Sequence, residues 1–384
     1  MNDSLVDRVL HNLKERRQRV LNGGINCIPS PFKQFRHDFP GIEQGKYYLV
    51  TGGPKAAKTQ LTSFLFLYTP LLYAYNNPDK VRVKIFYFPL EETPEKITMR
   101  FMCYLLYVLS NHKIRIDVAK LGSINKDSVL EPEILELLQS IEYKSILNFF
   151  EDHVQFIQER NPTGYYKNIK SYAEKSGTIH RKTIRTVDKD TGIEQEKQVF
   201  DYYEPNDPDE YVITIWDHAG NTDSEKNMDD REKIKKLSEY HMIVRNHYNY
   251  CPVLIQQQNV ESLGLEAFKA NKIRPSFTGL ADGKDPGRDA SVVLGITNPF
   301  SFEIPRYPGN GGYDITQLKG YARFLEVILN REGESNGLLG LYFDGATNFF
   351  TPLPPSTDTV SLQKVYALVQ KNIASNANNS NKSV

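Results

Sequence analysis

The sequence predicts an α/β fold with a mostly parallel central sheet, and three observations lead to this prediction. Residues 46–51 form an apolar strand that runs directly into a glycine-containing loop and a helix. Residues 81–88 and 211–217 form two further apolar strands, each with carboxylates at its carboxyl end. Strands then alternate with helices as far as about residue 343, which is typical of parallel strand-helix-strand units.

The first of these strands leads into a candidate phosphate-binding loop. The pattern G-x-x-x-x-G-K-[ST] is met by Gly52, Lys58 and Thr59, with Ala57 at the second glycine position. Backbone N–H groups of such a loop face phosphates, the lysine reaches the outer phosphates, and the threonine hydroxyl binds Mg²⁺. The predicted nucleotide-binding residues are Gly52, Gly53, Pro54, Lys55, Ala56, Ala57, Lys58, Thr59 and Gln60.

Ala57 is the one departure from the loop pattern. A glycine there lets the backbone pass close to phosphate and adopt dihedral angles that a Cβ resists. If the loop needs a left-handed residue at this point, alanine costs on the order of 1 kcal/mol. We therefore expect Ala57→Gly to tighten nucleotide binding.

The composition is that of a folded and charge-balanced chain. It has 384 residues, 40% of them hydrophobic, which can bury a substantial core and excludes disorder of the whole chain. Lysine plus arginine and aspartate plus glutamate each total 47, so no overall positive charge indicates nucleic acid. Any contact with nucleic acid would have to come from a local patch or a lined channel.

The cysteines, histidines and apolar runs exclude other classes. Cys27, Cys103 and Cys251 are far apart, so neither a disulfide framework nor a C-x-x-C metal site is predicted, and a reducing cytoplasm fits best. The eight histidines contain no i, i+4 pair, so Mg²⁺ bound with nucleotide is the expected metal. No apolar run is long enough to span a bilayer, and no signal-peptide core indicates export.

We place the predicted nucleotide-binding domain at residues 31–355, with one segment before it, one insertion within it and one segment after it. Residues 1–30 are an amphipathic helix and linker that either folds back on its own domain or docks on a neighbour. Residues 178–203 form an inserted hairpin with a turn at 188–192, on the far side from the nucleotide; it serves as decoration or as a partner contact. Residues 356–384 are a short helix and a tail, disordered after about Asn372.

The order of these features resembles a known family. A helix and linker, a phosphate-binding loop, strands ending in Leu-Glu, Asp and Gln, an Asp-Ala segment and a late Arg-x-Gly occur in that order. This order is similar to the RecA-like motor domain of DnaB-type replicative DNA helicases, over about residues 5–353. The resemblance implies a RecA-like P-loop NTPase core that binds ATP and Mg²⁺, with an N-terminal linker helix and an inserted β-hairpin.

The resemblance also implies roles for single residues. Glu91 matches the glutamate that activates the attacking water, and Glu92 takes that place if the register is off by one. Asp217 matches the carboxylate that holds Mg²⁺ through water, together with the hydroxyl of Thr59. Gln258 matches the strand-end glutamine that senses the γ-phosphate. Arg331 matches the arginine that reaches a neighbouring subunit's phosphates and stabilises charge in the transition state.

The family's activity implies further partners. A ring, expected to be hexameric, would translocate on single-stranded DNA, with Lys284 and Arg288 contacting phosphates, and with a primase or a loader as a further partner. The expected location is the cytoplasm of a bacterium or of a virus-infected host, without membrane contact. Leu329 replaces a lysine of the family, and the resemblance does not include the family's helical N-terminal domain. Two alternatives stay open: a catalytically weak or inactive RecA-like platform, and a recombinase-type or clock-type ATPase that does not unwind DNA.

Overall fold

A single large sheet organises the chain. The computed structural model describes residues 4–187, 194–259, 273–309, 311–335 and 337–381. Its strands are β1 (Ile28–Pro29), β2 (Gly41–Ile42), β3 (Tyr48–Gly52), β4 (Arg82–Pro89), β5 (Val154–Phe156), β6 (Gly177–Val187), β7 (Glu194–Pro205), β8 (Glu210–Asp217), β9 (Cys251–Gln257), β10 (Val292–Thr297), β11 (Arg306–Tyr307), β12 (Tyr313–Asp314), β13 (Ala322–Asn330), β14 (Leu338–Asp344) and β15 (Phe349–Pro352).

The central sheet is mixed and mostly parallel. Within the described residues it has nine strands in the order β15-β14-β13-β10-β3-β9-β8-β4-β5. Strands from β10 to β5 are parallel neighbours, whereas β13, β14 and β15 join by antiparallel pairing. The phosphate-binding loop follows β3, which lies near the middle of the sheet. The carboxyl ends of β3, β4, β8 and β9 therefore meet at one edge, where ligands bind in open α/β sheets.

Helices cover both faces of the sheet. They are α1 (Leu5–Leu21), α2 (Lys58–Ser63), α3 (Thr69–Asn76), α4 (Pro94–Leu109), α5 (Val118–Leu121), α6 (Pro132–Gln139), α7 (Ile141–His153), α8 (Pro162–Ser176), α9 (Asp230–Tyr248), α10 (Asp285–Asp289), α11 (Ile315–Leu318) and α12 (Thr359–Asn381). A π-helical stretch, Phe64–Tyr68, joins α2 to α3. In the part of the chain that the structure describes, no helix combines the length and the apolar character that crossing a membrane requires.

The inserted hairpin consists of β6 and β7, and α1 contacts it. The two strands pair with each other and enter β8 at its amino end, so the hairpin lies at the edge away from the phosphate-binding loop. The predicted turn at 188–192 lies outside the described residues. The α1 helix rests on this region through charged groups: Arg8 Nη1 is 3.7 Å from Asp201, and Arg19 Nε is 2.9 Å from Asp209. Its apolar stripe stays exposed.

The C-terminal segment differs from the expectation of disorder after about Asn372. A helix, α12, continues to Asn381. Leu362 and Val369 of this helix are buried against the rest of the chain, and the Asn372 side chain donates a hydrogen bond of 2.7 Å to the Tyr342 hydroxyl. The asparagine-rich composition suggested a solvated tail, but the preceding apolar residues anchor the helix.

Candidate functional site

The loop after β3 has the shape of a phosphate cradle. It leads into α2 at Lys58, so the amino end of that helix points to the loop. Ala57 is left-handed, with φ 73° and ψ 38°, so the strain foreseen for an alanine is present. The Lys58 ammonium donates a hydrogen bond of 3.0 Å to the Gly53 carbonyl. Burial lowers the pKa of Lys58, an effect that the nearby Asp217 opposes.

Asp217 and Thr59 meet at the carboxyl end of β8. The Thr59 hydroxyl donates to Asp217 Oδ1 at 3.1 Å, and the Tyr87 hydroxyl donates to Oδ2 at 2.7 Å. Asp217 is buried, and burial raises its pKa to about 6 although both hydrogen bonds oppose the shift. A threonine hydroxyl beside a buried carboxylate supplies the hard oxygen ligands that Mg²⁺ prefers. This donor set fits the metal predicted from the sequence.

The structure separates Glu91 from Glu92. The Glu91 side chain is 56% exposed, and its Oε2 lies 3.7 Å from His218 Nε2. Glu92 is 14% exposed and accepts hydrogen bonds from Nη1 and Nη2 of Arg100, and Lys96 Nζ lies 3.1 Å from its Oε1. Of the two carboxylates, the one at 91 is therefore available to orient a water molecule.

His218 was not singled out from the sequence, although it follows Asp217 directly. Its Nδ1 accepts a hydrogen bond of 3.1 Å from the Gly220 N–H, which leaves Nε2 to carry the proton toward Glu91 in the neutral ring. Burial lowers the pKa of His218. The imidazole is thus a neutral donor next to the candidate water-activating carboxylate.

These groups line one cleft. Its volume is about 290 Å³. The residues around it are Pro54, Lys55, Ala57, Lys58, Thr59, Gln60, Glu91, Glu92, Arg100, His218 and Gln257. The loop, the helix start and the strand-end glutamate thus converge here, and His218, Arg100 and Gln257 join them.

The expectation for Gln258 needs correction. Gln258 is 1% exposed and its amide faces the protein interior, donating to the Thr51 hydroxyl at 2.9 Å and to the Ser276 carbonyl at 3.1 Å. Gln257 lines the cleft instead. Successive residues of a strand point to opposite faces, so an error of one position moves the side chain from the cleft to the core.

The three basic residues predicted to contact a neighbouring subunit or DNA also lie outside the cleft. Arg331 follows β13 and pairs its backbone with Ser291, at the amino end of β10, so it is at the sheet edge opposite the cleft. Its guanidinium donates to the Ala290 and Arg288 carbonyls. Lys284 and Arg288 are exposed, and no described residue forms an ion pair with either side chain.

Gly52 is required by close packing against β10. A Cβ at this position would lie 2.4 Å from the Ile296 carbonyl oxygen, and the two strands are paired there in register. We expect Gly52→Ala to lower the free energy of unfolding by roughly 2–4 kcal/mol, measured by chemical denaturation. Gly345→Ala is the control, because its nearest contact is an ordinary 3.6 Å. A similar loss in both variants would contradict the steric explanation.

Two polar side chains behind the loop were also missed. Arg323 donates from Nε to the Ala56 carbonyl at 3.1 Å, and Asn298 donates from Nδ2 to the Lys55 carbonyl at 3.3 Å. A signal was present for the first: Arg323 shares a strand face with Leu325 and Val327, which are core residues. A charged residue on an apolar strand face indicates a specific buried contact.

Comparisons with known proteins identify the fold. No protein-family model matches the chain, and no curated protein sequence matches it. The solved ATPase domain of G40P is 13% identical, with a TM-score of 0.61, and the match covers 92% of this chain and 100% of that one. A solved DnaB-like replicative helicase is 13% identical, with a TM-score of 0.56, and the match covers 91% of this chain and 67% of that one. That structure was described together with the helicase's interactions with primase.

At an identity this low, the structural match shows a shared fold and no more. The chain has a RecA-like P-loop NTPase fold, like the ATPase domain of G40P and the DnaB-like replicative helicase, and the prediction of fold class is confirmed.

Proposed function

We propose that this chain is an ATP-dependent motor that translocates on single-stranded DNA as a ring, in the manner of a DnaB-like replicative helicase. The observation that carries the proposal is the convergence of Lys58, Thr59 and Glu91 on one cleft at the carboxyl edge of the sheet. The buried Asp217 adjoins the cleft through its hydrogen bond with Thr59. The likeness of the fold to the ATPase domain of G40P and to a DnaB-like replicative helicase supports the same activity.

The residues of the cleft have complementary tasks. The backbone N–H groups of the loop and the Lys58 ammonium bind phosphate oxygens, and their preorganised charge stabilises the transition state. Thr59 and Asp217 hold Mg²⁺, which neutralises phosphate charge when bound. Glu91 orients the attacking water and accepts its proton, and the neutral His218 ring steadies that carboxylate. Gln257 takes the sensing role that the family resemblance assigns to Gln258.

A ring would complete the site. Arg331 lies at the opposite sheet edge of its own chain, where it serves a neighbour's phosphates in our proposal. The α1 stripe supports assembly because it is apolar and solvent-exposed in this chain, with side chains 47–69% exposed. The residues of the stripe are Leu5, Val6, Val9, Leu10, Leu13, Val20 and Leu21.

The DNA contacts are proposed from charge and exposure. Lys284 and Arg288 are exposed cations on or beside a short helix, suited to phosphates and not to base edges, so binding would be independent of base sequence. A primase or a loader would be a further partner. The described cysteines are unpaired, in keeping with action in the cytoplasm of a bacterium or of a virus-infected host.

Two observations favour a second candidate, a RecA-like platform with little or no hydrolysis. Ala57 carries backbone strain in the phosphate-binding loop, and Leu329 stands where the family has a lysine. Such a protein would keep the fold and bind partners. A recombinase-type or clock-type ATPase is distinguished by its inability to separate strands.

The deciding experiment is steady-state ATP hydrolysis by the full chain, with and without single-stranded DNA. The matched variant is Lys58→Ala, which removes the phosphate-binding ammonium. We expect turnover that rises with DNA and that falls at least about 100-fold in the variant. Unwinding of a forked duplex and the mass of the assembly then separate a helicase ring from a non-unwinding ATPase.

A folded wild-type protein without turnover would reject the motor and favour the platform. Turnover that persists in Lys58→Ala would reject the assigned cleft.

A further inference from the structure

The phosphate-binding loop contains two residues whose backbone conformation disfavours a side chain. Lys55 has φ 57° and Ala57 has φ 73°, both in the left-handed region. For residues with a Cβ this region is unfavourable, and it persists only where surrounding structure fixes it. Side chains from other elements hold the loop in this shape.

Arg323 is one such group, and its environment is unusual for a cation. It is 7% exposed, and its guanidinium donates to the carbonyls of Ala56, Gly320 and Ala322 at 3.1, 2.8 and 2.8 Å. It also lies 5.2 Å from the centre of the Phe343 ring. No carboxylate among the described residues pairs with it. Burial lowers its pKa to about 10.

Asn298 holds the neighbouring carbonyl. Its Nδ2 donates to Lys55 at 3.3 Å and to the Ser301 hydroxyl at 2.7 Å, and the residue is 6% exposed. The two donors thus bind consecutive carbonyls, those of Lys55 and Ala56, immediately before Ala57. Neither Arg323 nor Asn298 is among the residues that line the described cleft, so both act from behind the loop.

We propose that Arg323 and Asn298 are positioning residues that brace the phosphate-binding loop, and that this brace is what allows alanine at position 57. The planar guanidinium suits this task because it donates in fixed directions. Burying a cation that binds only carbonyls costs free energy. Its presence here therefore indicates that the loop geometry it enforces is needed. The brace deepens the proposed function, on which its nucleotide readout depends.

The brace changes what Ala57→Gly should do. Its contacts lie within the chain, so the strain at 57 is carried by the folded protein and is not left for nucleotide binding to overcome. In the presence of Arg323, Ala57→Gly should therefore stabilise the fold and change affinity little. The tightening of binding expected from the sequence belongs to a protein that lacks the brace.

A double-mutant cycle tests this coupling. The four proteins are wild type, Ala57→Gly, Arg323→Met and the double variant, titrated with Mg-ADP, which is not hydrolysed. We expect Arg323→Met to weaken binding about tenfold with Ala57, and less than about threefold with glycine at 57, because the freed loop then adopts the shape without strain. Arg323→Lys keeps the charge without the fork and should behave like Arg323→Met.

Thermal unfolding of the same proteins gives a readout that needs no nucleotide. Ala57→Gly should raise Tm by about 2 °C in the wild-type background and by less than half as much in the Arg323→Met background, because an unbraced loop relaxes and releases the strain. The effect of glycine on the unfolded chain is common to both backgrounds and cancels. Arg115→Met, which removes an arginine paired with Asp344, is the control background and should leave the glycine effect unchanged.

Each result decides one point. Additive effects in both readouts, or equal coupling in the Arg115→Met background, would overturn the brace. If every variant folds and none binds Mg-ADP, the proposed function fails, and the Tm cycle alone decides on the brace.

Discussion

Glu91→Gln is expected to lower ATP turnover by about 10²-fold or more while Mg-ATP binding is retained. The reason is that the Glu91 carboxylate is half-exposed at the cleft, beside His218 Nε2. The amide keeps the size of the side chain and removes its capacity to accept a proton. Single-turnover hydrolysis and equilibrium binding, measured on the same preparation, separate the two effects.

The adjacent residue supplies a matched control. Glu92→Gln breaks the contacts of Glu92 with Arg100 and Lys96, which stabilise the start of α4. We expect it to reduce stability and to change turnover less than about threefold, because that carboxylate is already engaged. If Glu92→Gln were the inactive variant and Glu91→Gln the active one, the assignment of the water-activating residue would move by one position.

Asp217→Asn is expected to stabilise the fold at pH 7 while it abolishes Mg²⁺-dependent turnover. The pKa of Asp217 is about 6, against an ordinary value of 3.8, because of burial. The folded chain therefore binds more protons than the unfolded chain between about pH 4 and pH 6, so this carboxyl group's contribution to stability falls as the pH rises through that window. The shift corresponds to at most roughly 3 kcal/mol at neutral pH.

The measurement is the free energy of unfolding against pH, with EDTA present. We expect Asp217→Asn to gain about 1–3 kcal/mol at pH 7 and little or nothing at pH 4. Asp344→Asn is the opposite control: that buried carboxylate holds Arg115 by two hydrogen bonds of 2.7 and 2.9 Å, so its loss should destabilise the protein. A gain at pH 4 as large as at pH 7 would show that ionisation is not the cause.

The fold and the centre of the site follow from local sequence rules. An apolar strand before the loop, and apolar strands with Glu91 and Asp217 near their ends, fix an edge of a parallel sheet where those groups must meet. This much is readable because strand period and chain order determine it. The approach of Thr59 to Asp217 follows from the same topology, although the two are 158 residues apart.

The rest depends on tertiary contacts that pattern does not encode. Gln257 and Gln258 are both strand-end amides, and only the face of the strand decides between them. The role of Arg323 depends on its hydrogen bond to the backbone of a loop distant in sequence, which its sequence neighbours do not reveal. Composition alone predicts disorder after Asn372, whereas the helix continues to Asn381 because residues before that point are buried.

The two carbonyls before Ala57 are bound by side chains 243 and 267 residues further along the chain. The loop is therefore not a portable module. Residues 52–60 transplanted into another α/β scaffold would keep the sequence of the motif but lose the hydrogen bonds that shape the loop. A functional graft would also need the end of β10 with Asn298 and the start of β13 with Arg323. For protein engineering, the transferable unit is this corner of the sheet.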